Sequence, residues 1–177
     1  HMKPVFTWLI ASAFCMLSGS IHAQTSSVVQ TSNTTDQSPY KVALTKLSFG
    51  NDQYTKFVLN AWKAYDDNRL DELGFLVSDT IRAGFPNGQT VTGKEAFMAG
   101  LKEHRGSMAS ASSRVTAITT LKSAVNPLHE YTLIWGEELS TKKDGTTQKF
   151  SLHEVFVFNQ AGKVVEFYQY AIPLPAN

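Results

Sequence analysis

The sequence predicts an α+β domain whose helices gather on one face of a curved antiparallel sheet. Three observations predict it. Apolar residues recur with a 3.6-residue period only in the first half of the chain. From Arg114 onward the pattern alternates and is rich in Val, Ile and Thr. Asp144-Gly145, the strongest hairpin signal in the chain, lies inside that second half. Helices first and strands afterwards is the order of a segregated α+β fold.

The elements follow in chain order. Asn51 or Asp52 caps a first helix, in which Phe57, Val58, Ala61, Trp62 and Tyr65 form one apolar stripe. Asp66-Asp67-Asn68 breaks it, and Asn68 caps a short second helix carrying Leu70, Leu73, Leu76 and Val77 up to Ser78-Asp79. Thr80 to Phe85 reads as a strand, Pro86-Asn87-Gly88-Gln89 as a tight turn, and Thr90 to Thr92 as the returning strand. Thr92-Gly93-Lys94-Glu95 matches a capping box that opens a third helix, with Ala96, Phe97, Gly100, Leu101 and His104 on one face and Gly106 at its end. Arg114 to Val125, Glu130 to Thr141, Lys149 to Phe158 and Lys163 to Ile172 read as four strands. Pro173 and Pro175 end the sheet.

The chain has 177 residues, 42% hydrophobic and 18% charged, which suits one domain with one core and excludes a charged disordered chain. Sixteen basic against fifteen acidic residues gives no positive surplus for nucleic acid. His1, ahead of Met2, reads as a cloning scar. Lys3, the apolar run Val5 to Leu17 and the small-residue stretch ending at Ala23 then form the layout of a secretory signal peptide. The run falls short of the ~20 apolar residues that span a bilayer, so no stable membrane insertion follows cleavage. The competing readings are an uncleaved anchor and a lipoprotein, the latter opposed by Phe14 just ahead of Cys15. Cleavage removes Cys15, the sole cysteine, and leaves a chain suited to a periplasmic or secreted setting. Residues 24–50 form a polar linker, 51–173 the folded domain and 174–177 a tail.

Turn arithmetic then assigns sheet faces. A two-residue turn at Asp144-Gly145 places Glu154 opposite Trp135, and a Phe158 to Lys163 pairing places it opposite Phe167. One face would carry Leu133, Trp135, Glu137, Leu152, Glu154, Phe156, Val165, Phe167 and Gln169. The other would carry Ile134, His153, Val155, Val157, Glu166, Tyr168 and Tyr170. A one-residue slip would exchange faces. Both faces are apolar and helices can cover only one, so a homodimer through Val155, Val157, Tyr168 and Tyr170 is expected.

Two stretches carry a resemblance. One runs from Phe57 to Leu73 and on through Phe85-Pro86-Asn87-Gly88 to Gly93-Lys94-Glu95-Ala96-Phe97; the other is Glu154 to Val165, with Phe158-Asn159-Gln160-Ala161-Gly162-Lys163 at its turn. Over about residues 50 to 172 the chain resembles the nuclear-transport-factor-2-like superfamily, of SnoaL-like or ketosteroid-isomerase-like type. The resemblance implies a cone, a cystatin-like α+β roll whose strongly curved sheet wraps N-terminal helices around an apolar cavity. It also implies that Glu154 falls where ketosteroid isomerases carry an acid that helps bind an oxyanion. Their general base falls near Phe85 and their oxyanion-hole tyrosine near Ala61, neither of which can serve that chemistry. Steroid isomerase activity is therefore not carried over.

Glu154 is the candidate acid/base, since burial among aromatics raises a carboxyl towards neutrality. A structural glutamate bonded to Gln169 or to an arginine is the competing reading. Trp62, Tyr65, Phe85, Phe97, Trp135, Phe167 and Gln169 are candidate ligand contacts, against the plainer reading as core. His104, His129 and His153 lie on different elements without metal spacing. His153 is expected to point away from Glu154. No nucleotide or nucleophile motif is present, so no metal or cofactor is expected. Three functions remain open: a binding protein for a small apolar or amphipathic molecule, an isomerase, dehydratase or cyclase using Glu154, or an interaction module with a filled cavity.

Overall fold

A strand at Leu47–Phe49 (β1) precedes the first helix, Asp52–Asp66 (α1). The computed structural model describes residues 39–175, all within one unit, Ser32–Asn177. The expected signal peptide, and the linker up to residue 38, lie outside the described residues. After α1 come a 3-10 turn, Leu70–Leu73, then β2 (Val77–Gly84), β3 (Thr90–Thr92), α2 (Lys94–Gly106), β4 (Met108–Ser123), β5 (Asn126–Lys142), β6 (Thr147–Asn159) and β7 (Val164–Leu174). The strands form one sheet in the order β1-β4-β5-β6-β7-β2-β3. Every pairing is antiparallel except β2 with β7, which is parallel. The expected α+β architecture holds, with a mixed sheet that is not closed. Bulges in the β4 and β5 pairing, at Met108/Ser110 and Val115/Ala117, bend the longest strands.

α1 begins as the sequence indicates: the Asn51 side chain accepts from the Gln53 amide at 2.9 Å. Its end differs. Asn68 caps no second helix; it takes a left-handed φ of 58°, while Arg69 N–H donates to Ala64 O and Asn68 N–H to Tyr65 O. That is the double bond of a helix C-terminus, so Asn68 closes α1. The short second helix shrinks to one 3-10 turn, and Val77 already belongs to β2, pairing with Val164. The capping box at Thr92 also fails to form. Gly93, at φ 93°, occupies the cap position and no side chain caps α2. β4 starts at Met108, before the expected Arg114.

Buried Arg105 joins the two helices. Its guanidinium donates to Tyr65 O at 2.8 Å and Asp66 O at 2.9 Å, carbonyls at the negative end of α1. Asp66 in turn accepts from the amide and hydroxyl of Ser113 in β4.

The hairpin register corrects the face assignment. Lys142 N–H donates to Thr146 O and Gly145 takes φ 89°, so the turn holds three residues, Lys143, Asp144 and Gly145, rather than two. Thr141 therefore pairs with Thr147, Ile134 with Glu154 and Trp135 with His153. One residue of slip moves Trp135 to the outer face and Ile134, fully buried, to the inner one. The β6–β7 turn likewise holds three residues, closed by Asn159 N–H to Lys163 O with Gly162 at φ 71°. There Phe158 pairs with Val164 and a bulge follows, so Glu154 meets Gln169 and Phe156 meets Phe167. The slip on that side is two residues, which preserves the faces of Glu154, Phe167 and Gln169.

Gly136, in the middle of β5, lies beneath the Trp62 ring. A Cβ there would stand 2.6 Å from Arg114 O and 2.8 Å from Trp62 Cζ3. Gly136→Ala is expected to cost about 1–3 kcal/mol of folding stability, because helix and strand cannot both hold their places. Chemical denaturation reads this; an unchanged midpoint would show that Trp62 is free to shift.

Candidate active and binding site

The site is a cavity of about 770 Å³ between the helices and the concave sheet face. α1 contributes Phe57, Ala61, Trp62 and Tyr65, the stripe read from its periodicity. α2 contributes Phe97, Leu101 and His104, and β6 and β7 contribute Leu152, Glu154, Phe156, Phe167 and Gln169. Phe85 closes one wall, its ring 5.9 Å from that of Phe167. Phe97 and Phe156 stand edge-on to the same Phe167 ring. The solvent-facing part of the lining comes from the 86–89 turn and from Gly100, Glu103 and His104 of α2, which places the mouth between them. A cavity of this size favours a binding site over a filled core.

Glu154 is the polar centre, with 6% of its surface exposed. Its Oε2 accepts from Trp62 Nε1 at 2.6 Å and its Oε1 from Gln169 Nε2 at 2.7 Å. Burial pushes the carboxyl up to about 7, against the pull of these two donors and with a further push from the charge of Glu138. Both partners can only donate through these atoms. The indole can only donate, so a protonated Glu154 must find its acceptor in the Gln169 amide oxygen or in the cavity.

A second polar group lies nearer the mouth. Tyr65 Oη and His104 Nδ1 share a hydrogen bond of 2.8 Å. Burial pushes the Tyr65 hydroxyl up, Glu138 adding to it, and pushes the His104 imidazole down, with Lys142 adding to that. Glu138, 8% exposed, also lines the cavity, and burial raises it against the neighbouring Ser140 hydroxyl.

Of the candidate contacts, Trp62, Tyr65, Phe85, Phe97, Phe167 and Gln169 all line the cavity. Trp135 does not. It stacks on His153 on the outer face, ring centroids 4.6 Å apart, and His153 stacks on Tyr170 at 5.8 Å. His153 points away from Glu154, as alternation requires. Val157, assigned to an interface, is already buried at 3% exposure within one copy. Glu138 was not foreseen. The two-residue turn put Glu137 in its place, whereas the observed register sets Glu138 opposite Phe150, on the Glu154 face. Glu137 is instead paired with Arg114 and Lys149. Among the described residues, no group of three or more His, Cys, Asp or Glu could hold a metal, and no helix is long and apolar enough to cross a membrane.

The carboxyl leaves a signature in stability. Its folded value, about 7, lies above the ordinary 4.5, so folding takes up a proton between those limits. The contribution is fully present below pH 4.5 and is lost as pH rises through 7. Glu154→Gln should remove that loss, so the stability difference between variant and wild type shifts by up to about 3 kcal/mol in the variant's favour between pH 5 and 8. Urea denaturation at several pH values measures the difference; a gap constant with pH would mean an ordinary exposed-type carboxyl.

Comparison with known proteins gives neither a matching family model nor a matching curated protein. Solved structures do match. A putative scytalone dehydratase from Novosphingobium aromaticivorans aligns at TM-score 0.57 and 12% identity, over 70% of this chain and 86% of that one. A putative SnoaL-like polyketide cyclase from Jannaschia sp. aligns at 0.56 and 14%, over 67% and 85%. An epoxide hydrolase from M. tuberculosis aligns at 0.56 and 12%, over 68% and 83%. At such identities the likeness establishes architecture, and the curved sheet, the two helices and the cavity beneath them make this chain a protein of the nuclear-transport-factor-2-like fold.

Proposed function

We propose that the chain binds a small, largely apolar molecule bearing a polar group, with the Glu154 carboxyl as that group's partner. The observation that carries this reading is Glu154 itself, a buried carboxyl in the lining of an otherwise largely apolar cavity, held by one donor on each oxygen. Aromatic walls supply the apolar contact. Native mass spectrometry of protein purified from its source tests it. A co-purified small molecule, displaced or weakened in Glu154→Gln, is the expected result. Equal retention by the variant would remove the carboxyl from recognition.

A second reading is catalysis of isomerase, dehydratase or cyclase type with Glu154 as general acid and base. A carboxyl near 7 favours it, because both protonation states are populated at neutral pH. The solved neighbours described as cyclase and dehydratase point the same way. The ketosteroid isomerase route has no support, since Ala61 and Phe85 line this cavity without a hydroxyl or carboxyl. Turnover lost in Glu154→Gln while affinity persists would favour catalysis.

The outer face supports pairing with a second copy. Trp135, Tyr168, Tyr170 and Ile172 are exposed there, a cluster of large apolar side chains of the kind that marks an interaction surface. Sedimentation velocity at micromolar concentration should show a dimer that Trp135→Ala weakens about tenfold or more. A wild-type monomer at that concentration would contradict the pairing.

A further inference from the structure

The charged groups of the cavity lining are all of one sign. Glu154 and Glu138 lie inside it and Glu103 at its mouth, while among the described residues no lysine or arginine contributes to the lining. Arg105, whose charge reaches Glu138, is committed to the carbonyls of Tyr65, Asp66 and Met108. It stands beside Glu138 without an ion pair. Asp66, on the far side, is held by Ser113, and Lys142 lies near His104 rather than near either buried glutamate. His104 shares its Nδ1 with Tyr65 and loses charge on burial. The two buried carboxyls also feel each other.

An isolated ionised carboxylate in such surroundings is costly, and a second one nearby adds repulsion. A cation placed between them relieves both penalties. The walls suit the same occupant: Trp62, Phe85, Phe97 and Phe167 present ring systems whose negative faces attract ammonium groups. The free lone pairs of Glu154, whose other positions are filled by Trp62 and Gln169, face that space.

We infer that the ligand of this cavity is an apolar amine, its ammonium held between Glu154 and Glu138 and its hydrocarbon part against the aromatic wall. This rests on the reading of the cavity as a binding site and names the chemical class it takes. Binding converts Glu154 to its carboxylate and releases its proton to solvent. The affinity for a permanent cation therefore rises with pH up to about 7 and levels off above it, whereas a neutral ligand gains nothing from the change.

Three probes of similar size decide the matter with the full chain: benzyltrimethylammonium, its neutral carbon counterpart neopentylbenzene, and phenylacetate. Titration at pH 8, followed by tryptophan fluorescence, should show the cation binding at least about tenfold tighter than the neutral probe, with phenylacetate weakest. Below pH 7 the cation's affinity should fall about tenfold per pH unit. Glu154→Gln should weaken the cation about 10–100-fold at pH 8, more than it weakens the neutral probe, and flatten the cation's pH profile. Glu138→Gln serves as an independent variant and should also weaken the cation. If the neutral probe matches or exceeds the cation at pH 8, the amine assignment is wrong and the cavity remains an apolar binding site. If none of the three binds, the binding reading itself falls with it.

Discussion

The hydrogen bond from the Trp62 indole to Glu154 is the constraint around which the domain is arranged. It crosses from α1 to the middle strand of the concave sheet at 2.6 Å, with both side chains buried. It needs the indole close against β5, and Gly136 is the residue that leaves room for the ring. It needs Gln169 on the next strand to hold the other oxygen. The helix is thereby fixed at one height above the sheet, and the space beside the bond stays open because aromatic side chains prop the walls apart. Removing one partner would leave a buried carboxyl short of a donor, which costs more than the bond itself contributes.

The same bond sets the chemistry. Two donors stabilise the carboxylate, and desolvation opposes them strongly enough that the acid settles near neutrality. A group in that balance responds to whatever enters: a hydroxyl or carbonyl finds a donor, an ammonium finds an acceptor. The Tyr65–His104 pair nearer the mouth is neutral and offers no countercharge. The electrostatics of the hollow are thus set by glutamates, with Arg105 turned to the end of α1 instead.

Much of this was legible in the sequence because it depends on local periodicity. The α1 stripe of Phe57, Ala61, Trp62 and Tyr65 and the α2 face of Phe97, Leu101 and His104 both line the hollow as their spacing requires. Glu154, Phe167 and Gln169 were placed on the correct face because the slip at the second turn was even. Trp135 and Glu138 were not, because the first slip was odd. Asp144-Gly145 announces a turn but not its length, and one residue more exchanges every side chain of β5 between faces. Asn68 is ambiguous for a related reason: asparagine favours both helix starts and left-handed helix ends, and only the following residues decide. The charge census of the cavity depended on Glu138, so it was out of reach until the register was known.

The most direct measurement is the protonation of Glu154 itself. Carboxyl-labelled glutamate, followed by carbon NMR across pH and assigned with Glu154→Gln, reports this group separately from the others. A midpoint near 7 is the expected result. A midpoint at the ordinary 4.5 would mean that water reaches the carboxyl freely, and that the hollow is not the desolvated chamber on which binding, catalysis and cation preference all depend.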